Sequence, residues 1–152
     1  MNTTSVSSHN IIGISVRTTN ENGQSAIDIP ELWHKFLSEN ASSKIPNKAS
    51  DTVFCIYTDY ESDFTKPYTT ILGCEVSSLE TIPEGFTYTT IKAGDYLKFL
   101  AKGKLSDNIV FSEWQKIWSS NIPRTYESDF EVYNEKSQDA NNAEVEIFIS
   151  TK

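Results

Sequence analysis

The two halves of the sequence carry similar short stretches in the same order. Residues 33–36 (WHKF) resemble residues 114–117 (WQKI), and residues 54–57 (FCIY) resemble residues 130–133 (FEVY). Each half also reads as strand, helix, strand, strand. Because the matches occur in the same order, an internal duplication explains them better than chance. The chain is therefore expected to contain two β-α-β-β units.

Hydrophobic patterning places these elements along the chain. Runs rich in β-branched residues indicate strands, and an acidic start with Pro30 near it indicates the first helix. In the first half we expect a strand over 11–19, a helix from 28 to about 40, and a hairpin of strands 53–60 and 68–76. In the second half we expect strands 86–93 and 96–101 around Gly94, a helix within 106–120, and a hairpin of strands 130–134 and 145–150.

The length of 152 residues fits a single domain with a substantial core. A turn at residues 83–85 (PEG) divides this domain 1–152 into half-repeats at about 10–84 and 85–152. Residues 1–9 are polar and are expected to form a flexible tail.

Composition and charge narrow the functional classes. The net charge is −8, and Lys and Arg form no run, which argues against direct nucleic-acid binding. An acidic protein favours cationic or neutral small molecules over phosphorylated ones. Three Trp, seven Tyr and eight Phe are plentiful for this length. Some of them are expected to line a binding site, although aromatic residues fill cores more often.

The sequence carries no recognisable signal for a membrane or an oxidising compartment. Residues 1–10 lack the basic start and apolar core of a signal peptide, and no apolar run reaches transmembrane length. Cys55 and Cys74 lie in strand-like segments without metal-ligand spacing, so we expect reduced, packed thiols. We therefore predict a cytoplasmic protein with no metal, no cofactor and no membrane association.

A carboxylate interrupts the apolar strand pattern at residues 129–133 (DFEVY). Strand alternation places Glu131 and Tyr133 on one side, opposite to Phe130. Burying an acid among apolar residues is costly without a partner, and a cationic ligand would supply one. An exposed acid on a solvent face is the ordinary alternative. In the duplication Cys55 takes the position of Glu131, so the repeated fold does not require the acid.

Several other motifs occur in a characteristic order. They are YTTILGCEV at 68–76, AGDY at 93–96 with Phe99 and Gly103, WQKIW at 114–118, Arg124, and DFEVY at 129–133. Because these motifs occur in this order and spacing, the chain resembles the GyrI-like superfamily of bacterial transcription-activator effector-binding domains. The resemblance covers about residues 11–151. The chain is most similar to the stand-alone members called integron-associated effector-binding proteins, because no helix-turn-helix segment is recognisable.

The resemblance implies a fold and a type of ligand. The fold is α+β: duplicated β-α-β-β units form an antiparallel sheet, with two main helices over it and a ligand cleft between them. In this superfamily a Glu in the segment that matches DFEVY commonly meets cationic, aromatic ligands, and here that residue is Glu131. The implied setting is bacterial transcription regulation or multidrug sensing, as in AraC-type effector domains.

Seven residues are the candidate ligand contacts. The carboxylate would meet the charge of the ligand, and aromatic faces would pack on a flat cation. The candidates are Glu131, Tyr133, Trp114, Trp118, Trp33, Tyr57 and Tyr68. Tyr133 is the strongest tyrosine candidate because it shares a strand side with Glu131, and only one or two of the three Trp are expected to reach a ligand. By contrast, we expect Arg124 to form a surface ion pair.

Two functions fit these candidates, and a third stays open. The leading hypothesis is a small-molecule-binding protein that takes amphipathic or aromatic, cationic ligands. The alternative, implied by relatives in the superfamily, is a hydrolase of reactive cyclopropane-containing compounds in which Glu131 is the general base. The third is a protein-interaction module with an unknown partner. The sequence does not identify the natural ligand.

Overall fold

The computed structural model describes residues 3–152 and contains eight strands and three α-helices in this range. The strands are β1 (Thr4–Val6), β2 (His9–Thr18), β3 (Val53–Thr58), β4 (Tyr68–Glu75), β5 (Thr87–Ile91), β6 (Gly94–Gly103), β7 (Ser128–Tyr133) and β8 (Ala143–Ser150). The helices are α1 (Ser25–Ser38), the short α2 (Ala41–Lys44) and α3 (Ile109–Ser119). The predicted strands and the two main helices are present.

All eight strands join one antiparallel sheet, so the chain has the α+β class that the sequence predicts. The strand order is β1-β6-β8-β7-β3-β4-β2-β5. Strands β2, β3 and β4 of the first half therefore mirror β6, β7 and β8 of the second half about the central β3–β7 pair. Both predicted hairpins, β3–β4 and β7–β8, are formed.

The central strand pair places the two matching positions of the half-repeats opposite each other. Cys55 of β3 is the Cα partner of Glu131 of β7. Directly opposite residues of an antiparallel pair share a sheet face, and like charges there are destabilising. The carboxylate at position 131 therefore faces a neutral thiol across the pair instead of a second acid.

Each face of the sheet carries its own apolar core. On the helix-covered face, α1 buries Leu32 and Phe36, and α3 buries Trp114 and Ile117. The apolar stripes of both helices pack on the sheet because this packing removes apolar surface from water. The opposite face has a second core of Ile11, Phe54, Ile56, Ile71, Ile91, Tyr96, Phe130 and Phe148. Strand alternation thus separates Glu131, which lies under the helices, from its neighbour Phe130.

The N-terminal segment differs from the flexible tail predicted over residues 1–9. Thr4–Val6 pairs with the start of β6, and His9 begins β2, where its ring nitrogen Nδ1 contacts Oε2 of Glu75. The edge of β6 offers unpaired backbone groups, and a short polar strand satisfies them. The part of the prediction that concerns residues 1 and 2 lies outside the described residues.

The first helix begins earlier than predicted, and this brings its first turn toward the site. α1 starts at Ser25 because the backbone N–H groups of Ile27 and Asp28 donate to the carbonyl of Gln24. Pro30 consequently lies inside the helix, where it cannot donate to the carbonyl four residues earlier. None of the helices within residues 3–152 has the length and apolarity needed to cross a membrane.

Candidate functional site

A cavity of about 740 Å³ lies between the sheet, the N-terminal part of α1 and the length of α3. Small-molecule sites commonly have volumes of about 300–1,000 Å³. Nine of the nineteen residues that line the cavity are aromatic. All seven residues predicted from the sequence lie in its wall: Trp33, Tyr57, Tyr68, Trp114, Trp118, Glu131 and Tyr133. All three Trp line the cavity, and the expectation that only one or two of them reach a ligand stays a prediction.

Glu131 is a buried acid in this wall, with only 2% of its surface exposed. Its Oε2 accepts hydrogen bonds from the Tyr57 hydroxyl at 2.8 Å and from Trp114 Nε1 at 2.6 Å. Its Oε1 accepts a hydrogen bond from the Tyr133 hydroxyl at 2.7 Å. The donors belong to β3, α3 and β7, so three separate elements fix the orientation of one carboxylate.

All three of these donors are neutral. Within residues 3–152, Glu131 forms no ion pair with a Lys or Arg side chain. Burial raises the pKa of Glu131 above its usual range, and the hydrogen bonds from Tyr133, Tyr57 and Trp114 act in the opposite direction. The ionised form of this carboxylate therefore gains from any cation that enters the cavity.

The tyrosine hydroxyl groups around the acid are donors at neutral pH. Burial raises the pKa of both Tyr57 and Tyr133 well above the ordinary value, and the Glu131 carboxylate adds to the rise. Burial raises the pKa of Tyr68 to about 12. The Tyr68 hydroxyl donates to Asn20 Oδ1 at 2.6 Å, so Tyr68 forms the wall without touching the acid.

The aromatic rings of the wall support one another edge to face. The rings of Trp33 and Tyr133 are 4.8 Å apart at 74°, and those of Tyr57 and Trp114 are 5.3 Å apart at 82°. Such pairs hold each ring in a defined orientation. The wall around Glu131 is therefore a set of fixed aromatic surfaces, which suits a flat cation that stacks on ring faces.

Arg124 is a second charged residue in the cavity wall, and the surface ion pair predicted for it is wrong. Arg124 is 6% exposed, and its Nη2 donates at 2.7 Å to Oδ2 of Asp129, which is fully buried. The pair is buried because other elements complete the shell of Asp129. The backbone N–H and hydroxyl of Ser150 donate to Oδ1 at 2.8 and 3.1 Å, and the Tyr60 hydroxyl donates to Oδ2 at 2.7 Å.

Sequence reasoning missed several other residues of the wall. Tyr60 and Phe64 lie in the polar connection between β3 and β4, and Asn20 lies in the connection that precedes α1. The Phe64 ring stacks on Trp118 at 5.7 Å and 11°, and Asn20 Nδ2 donates to the Phe64 carbonyl at 2.9 Å. The sequence signal that could have identified Tyr60 and Phe64 as wall residues was their aromatic character. That character does not indicate which loop covers a cleft.

One pair of polar residues, His9 and Glu75, lies apart from the cavity. Glu75 contacts His9 near the sheet edge formed by β2 and β5, and neither residue lines the cavity. Among the residues that the structure describes, no group of three or more His, Cys, Asp or Glu side chains is arranged to hold a metal ion. Cys55 lies beside the site, with its Sγ donating to the Tyr57 hydroxyl at 3.4 Å.

Comparison with known families and structures agrees with this architecture. A sequence model of the family described as integron-associated effector binding protein matches residues 4–150. An integron cassette protein from the mobile metagenome of Vibrio cholerae is 31% identical to this chain. Its crystal structure superposes with a TM-score of 0.76 and covers 99% of this chain and 95% of its own.

Two more distant proteins share most of their length with this chain. YobU of Bacillus subtilis (strain 168), whose name assigns it a proposed role as a transcriptional regulator, is 25% identical over 92% of this chain and 90% of its own. The structure of SAV2435 bound to tetraphenylphosphonium has a TM-score of 0.77 and covers 100% of this chain and 94% of its own. At 16% identity, this second likeness concerns the fold alone.

Proposed function

This chain belongs to the family of integron-associated effector-binding proteins, and on that premise we propose that its cavity binds amphipathic or aromatic organic cations. In this proposal, the protein acts in the bacterial cytoplasm as a sensor of such molecules. Glu131 compensates the charge of the ligand, and the aromatic wall covers its apolar surface.

The observation that carries this proposal is the environment of Glu131. A buried carboxylate that receives only neutral hydrogen bonds still bears much of the cost of leaving water. A bound cation would relieve that cost, because an opposite charge nearby favours the ionised form. The same cation would gain from the faces of neighbouring rings, at about 0.5–2 kcal/mol for each favourable contact.

A protein of similar fold supports the choice of ligand class. The structure of SAV2435 is bound to tetraphenylphosphonium, a permanent cation that carries four aromatic rings. Such a molecule combines the two properties that this cavity can meet, namely a positive charge and extensive apolar surface. The net charge of −8 also favours the approach of cations.

The direct experiment is titration of tetraphenylphosphonium into wild type and Glu131→Gln by calorimetry. A charge-assisted contact contributes about 1.5–3 kcal/mol. We therefore expect the affinity of Glu131→Gln to be about tenfold to a hundredfold lower than that of wild type.

Glu80→Gln is the matched control for this titration. Glu80 is exposed and does not line the cavity, so this substitution removes one negative charge without altering the site. We expect Glu80→Gln to bind as wild type does. Equal affinities for wild type and a folded Glu131→Gln would rule out the role assigned to Glu131.

The regulatory setting is a further part of the proposal. The name of YobU points to transcription control, and an effector-binding domain acts there by changing a partner when its ligand is bound. Pull-down from a bacterial extract with and without tetraphenylphosphonium tests this role. A partner whose recovery depends on the ligand would support it, and recovery that the ligand leaves unchanged would count against it.

Binding fits the geometry better than the hydrolase alternative. A general base must accept a hydrogen bond from the attacking water, but Tyr57, Trp114 and Tyr133 already occupy three of the roughly four acceptor positions of the Glu131 carboxylate. Incubation with an electrophilic cyclopropane distinguishes the two functions. Product formed over many turnovers, and lost in Glu131→Gln, would favour hydrolysis, whereas a stoichiometric complex without product would favour binding.

A further inference from the structure

Arg124 has hydrogen-bonding capacity that the fold does not use. Its Nη2 donates to Asp129, but its Nε and Nη1 are buried without a hydrogen-bond partner in residues 3–152. Buried guanidinium donors normally meet oxygen atoms. In the described part of the chain, Thr18 and Thr70 also carry buried side-chain oxygens without a partner, and neither lines the cavity.

Three aromatic rings lie near the guanidinium of Arg124. Its Cζ lies 4.3 Å from the ring centroid of Tyr126, 5.8 Å from that of Trp114 and 5.9 Å from that of Phe64. Ring faces attract the charge but replace a directed oxygen acceptor poorly. Phe64 and Tyr126 lie in connections between elements, so their rings can shift without breaking a helix or a strand.

We propose that Arg124 donates through Nε and Nη1 to an oxygen acceptor of the ligand, so that the cavity selects organic cations that also carry a carboxylate or carbonyl oxygen. This inference rests on the proposed function and adds a second anchor to the same site. Glu131 holds the cationic group, and Arg124 holds the oxygen.

The arrangement of the two anchors supports one ligand reaching both. Trp114 joins them, because its Nε1 donates to Glu131 while its ring lies beside the Arg124 guanidinium. A ligand that uses both anchors therefore lies along the Trp114 side of the cavity. Asp129 balances the charge of Arg124, so the guanidinium repels the cationic group less than an isolated one would.

A matched pair of probes tests the second anchor. Pentyltriphenylphosphonium and (4-carboxybutyl)triphenylphosphonium share the same cationic group and have chains of similar length, but only the second carries a carboxylate. In wild type we expect calorimetry to give an affinity about tenfold higher for the carboxylated cation. Long-range attraction to a protein of net charge −8 favours the pentyl cation, because the carboxylated cation has no net charge. A higher affinity for the carboxylated cation would therefore indicate a local contact with its carboxylate.

Arg124→Lys is the variant that separates the anchor from the ion pair. Lysine keeps a positive charge near Asp129 but lacks the forked donors of arginine. In Arg124→Lys we expect the two dissociation constants to differ by about twofold or less. The reason is that the variant lacks the Nε and Nη1 donors, whose hydrogen bonds to the ligand carboxylate produce the wild-type preference. Thermal unfolding verifies that the variant is folded.

The possible results distinguish a failure of the Arg124 proposal from a failure of the proposed cation binding. Equal affinities of wild type for the two cations would overturn the role of Arg124 and leave cation binding intact. The same holds for a preference that persists in folded Arg124→Lys. Binding of neither cation would overturn both proposals. Since the wild-type ratio requires no variant, the inference stays falsifiable even where Arg124→Lys fails to fold.

Discussion

Asp129 and Glu131 are buried carboxylates two residues apart on β7, and the fold compensates them in different ways. Asp129 meets the Arg124 guanidinium, the Tyr60 hydroxyl and two donors of Ser150. Glu131 meets two phenol hydroxyls and an indole N–H, all neutral. Residues at i and i+2 of a strand lie on the same face, so both acids occupy similar positions under the helices.

The difference separates an acid that holds the fold together from an acid that we propose to meet a ligand. Asp129 connects β7 to β8 and to the segment that carries Arg124, and its charge is balanced within the protein. The neutral donors of Glu131 orient its carboxylate without supplying a counter-charge. Two chemically similar residues thus have different surroundings, because only one of them has a cation among its partners.

The largest expected effect concerns the free energy of unfolding. Asp129→Asn leaves Arg124 buried and charged without a counter-ion, which costs about 3–5 kcal/mol. Glu131→Gln removes an uncompensated buried charge and keeps the shape of the side chain, so we expect a change within about 1 kcal/mol. Urea unfolding of both isosteric variants, followed by tryptophan fluorescence, measures the contrast.

This comparison has a clear contrary outcome. If Glu131→Gln lowers stability as much as Asp129→Asn, Glu131 is a structural acid, and its availability to a ligand is refuted. The m-values of the two variants should match that of wild type, since a changed m-value would indicate a different denatured state instead of a lost interaction.

The next effect concerns the pH dependence of cation binding. The pKa of Glu131 is raised by burial, so its carboxylate becomes protonated as the pH falls through this raised value. Cation affinity should be full above that pKa and decrease below it by up to about tenfold per pH unit. Tetraphenylphosphonium has a permanent charge, so a change of affinity with pH comes from the protein. Calorimetry at a series of pH values from about 8 down to about 5 measures this change.

Glu131→Gln is the reference for this pH profile, and its affinity should vary little over the same range. The sign for stability is opposite. Because the folded state holds the proton of Glu131 more tightly than the unfolded state does, unliganded wild type should gain stability relative to Glu131→Gln as the pH falls through the raised pKa. An affinity that rises as the pH falls would contradict the assignment.

The β7 residues show how far the sequence reaches. The period of a strand is two, so the segment DFEVY alone places Glu131 and Tyr133 on one side, and the Tyr133 hydroxyl donates to that acid. The internal match likewise identified Cys55 as the counterpart of Glu131, and the two are Cα partners. Local periodicity and repetition therefore predicted the acid and part of its surroundings.

Arg124 shows where sequence reasoning stops. Its burial depends on Asp129, and the surroundings of Asp129 depend on Ser150, which comes 21 residues later. The same applies to Thr4–Val6, whose pairing with β6 joins segments far apart in the chain. Such partners are chosen by the tertiary arrangement of the sheet, and no local pattern in a polar segment encodes them.

A smaller loss of stability than that of Asp129→Asn is expected when one hydroxyl is removed beside each acid. Tyr60→Phe removes a hydroxyl that donates to Asp129, and Tyr133→Phe removes one that donates to Glu131, while both keep their rings. The Tyr133 hydrogen bond lowers the pKa of Glu131, so its loss should move the pH midpoint of cation binding upward. Tyr60→Phe should leave that midpoint unchanged and lower stability by about 1.5–3 kcal/mol, because its partner is a charged carboxylate.

These two tyrosine variants separate a local effect on Glu131 from a general effect on the cavity. Both rings line the cavity, so a disturbance of packing would weaken cation binding at every pH without moving the midpoint. A shifted midpoint in Tyr133→Phe alone requires that the Tyr133 hydroxyl acts directly on Glu131. An equal shift in both variants would mean that the Tyr60 hydroxyl also acts on Glu131, and the distinction between the surroundings of the two acids would then fail.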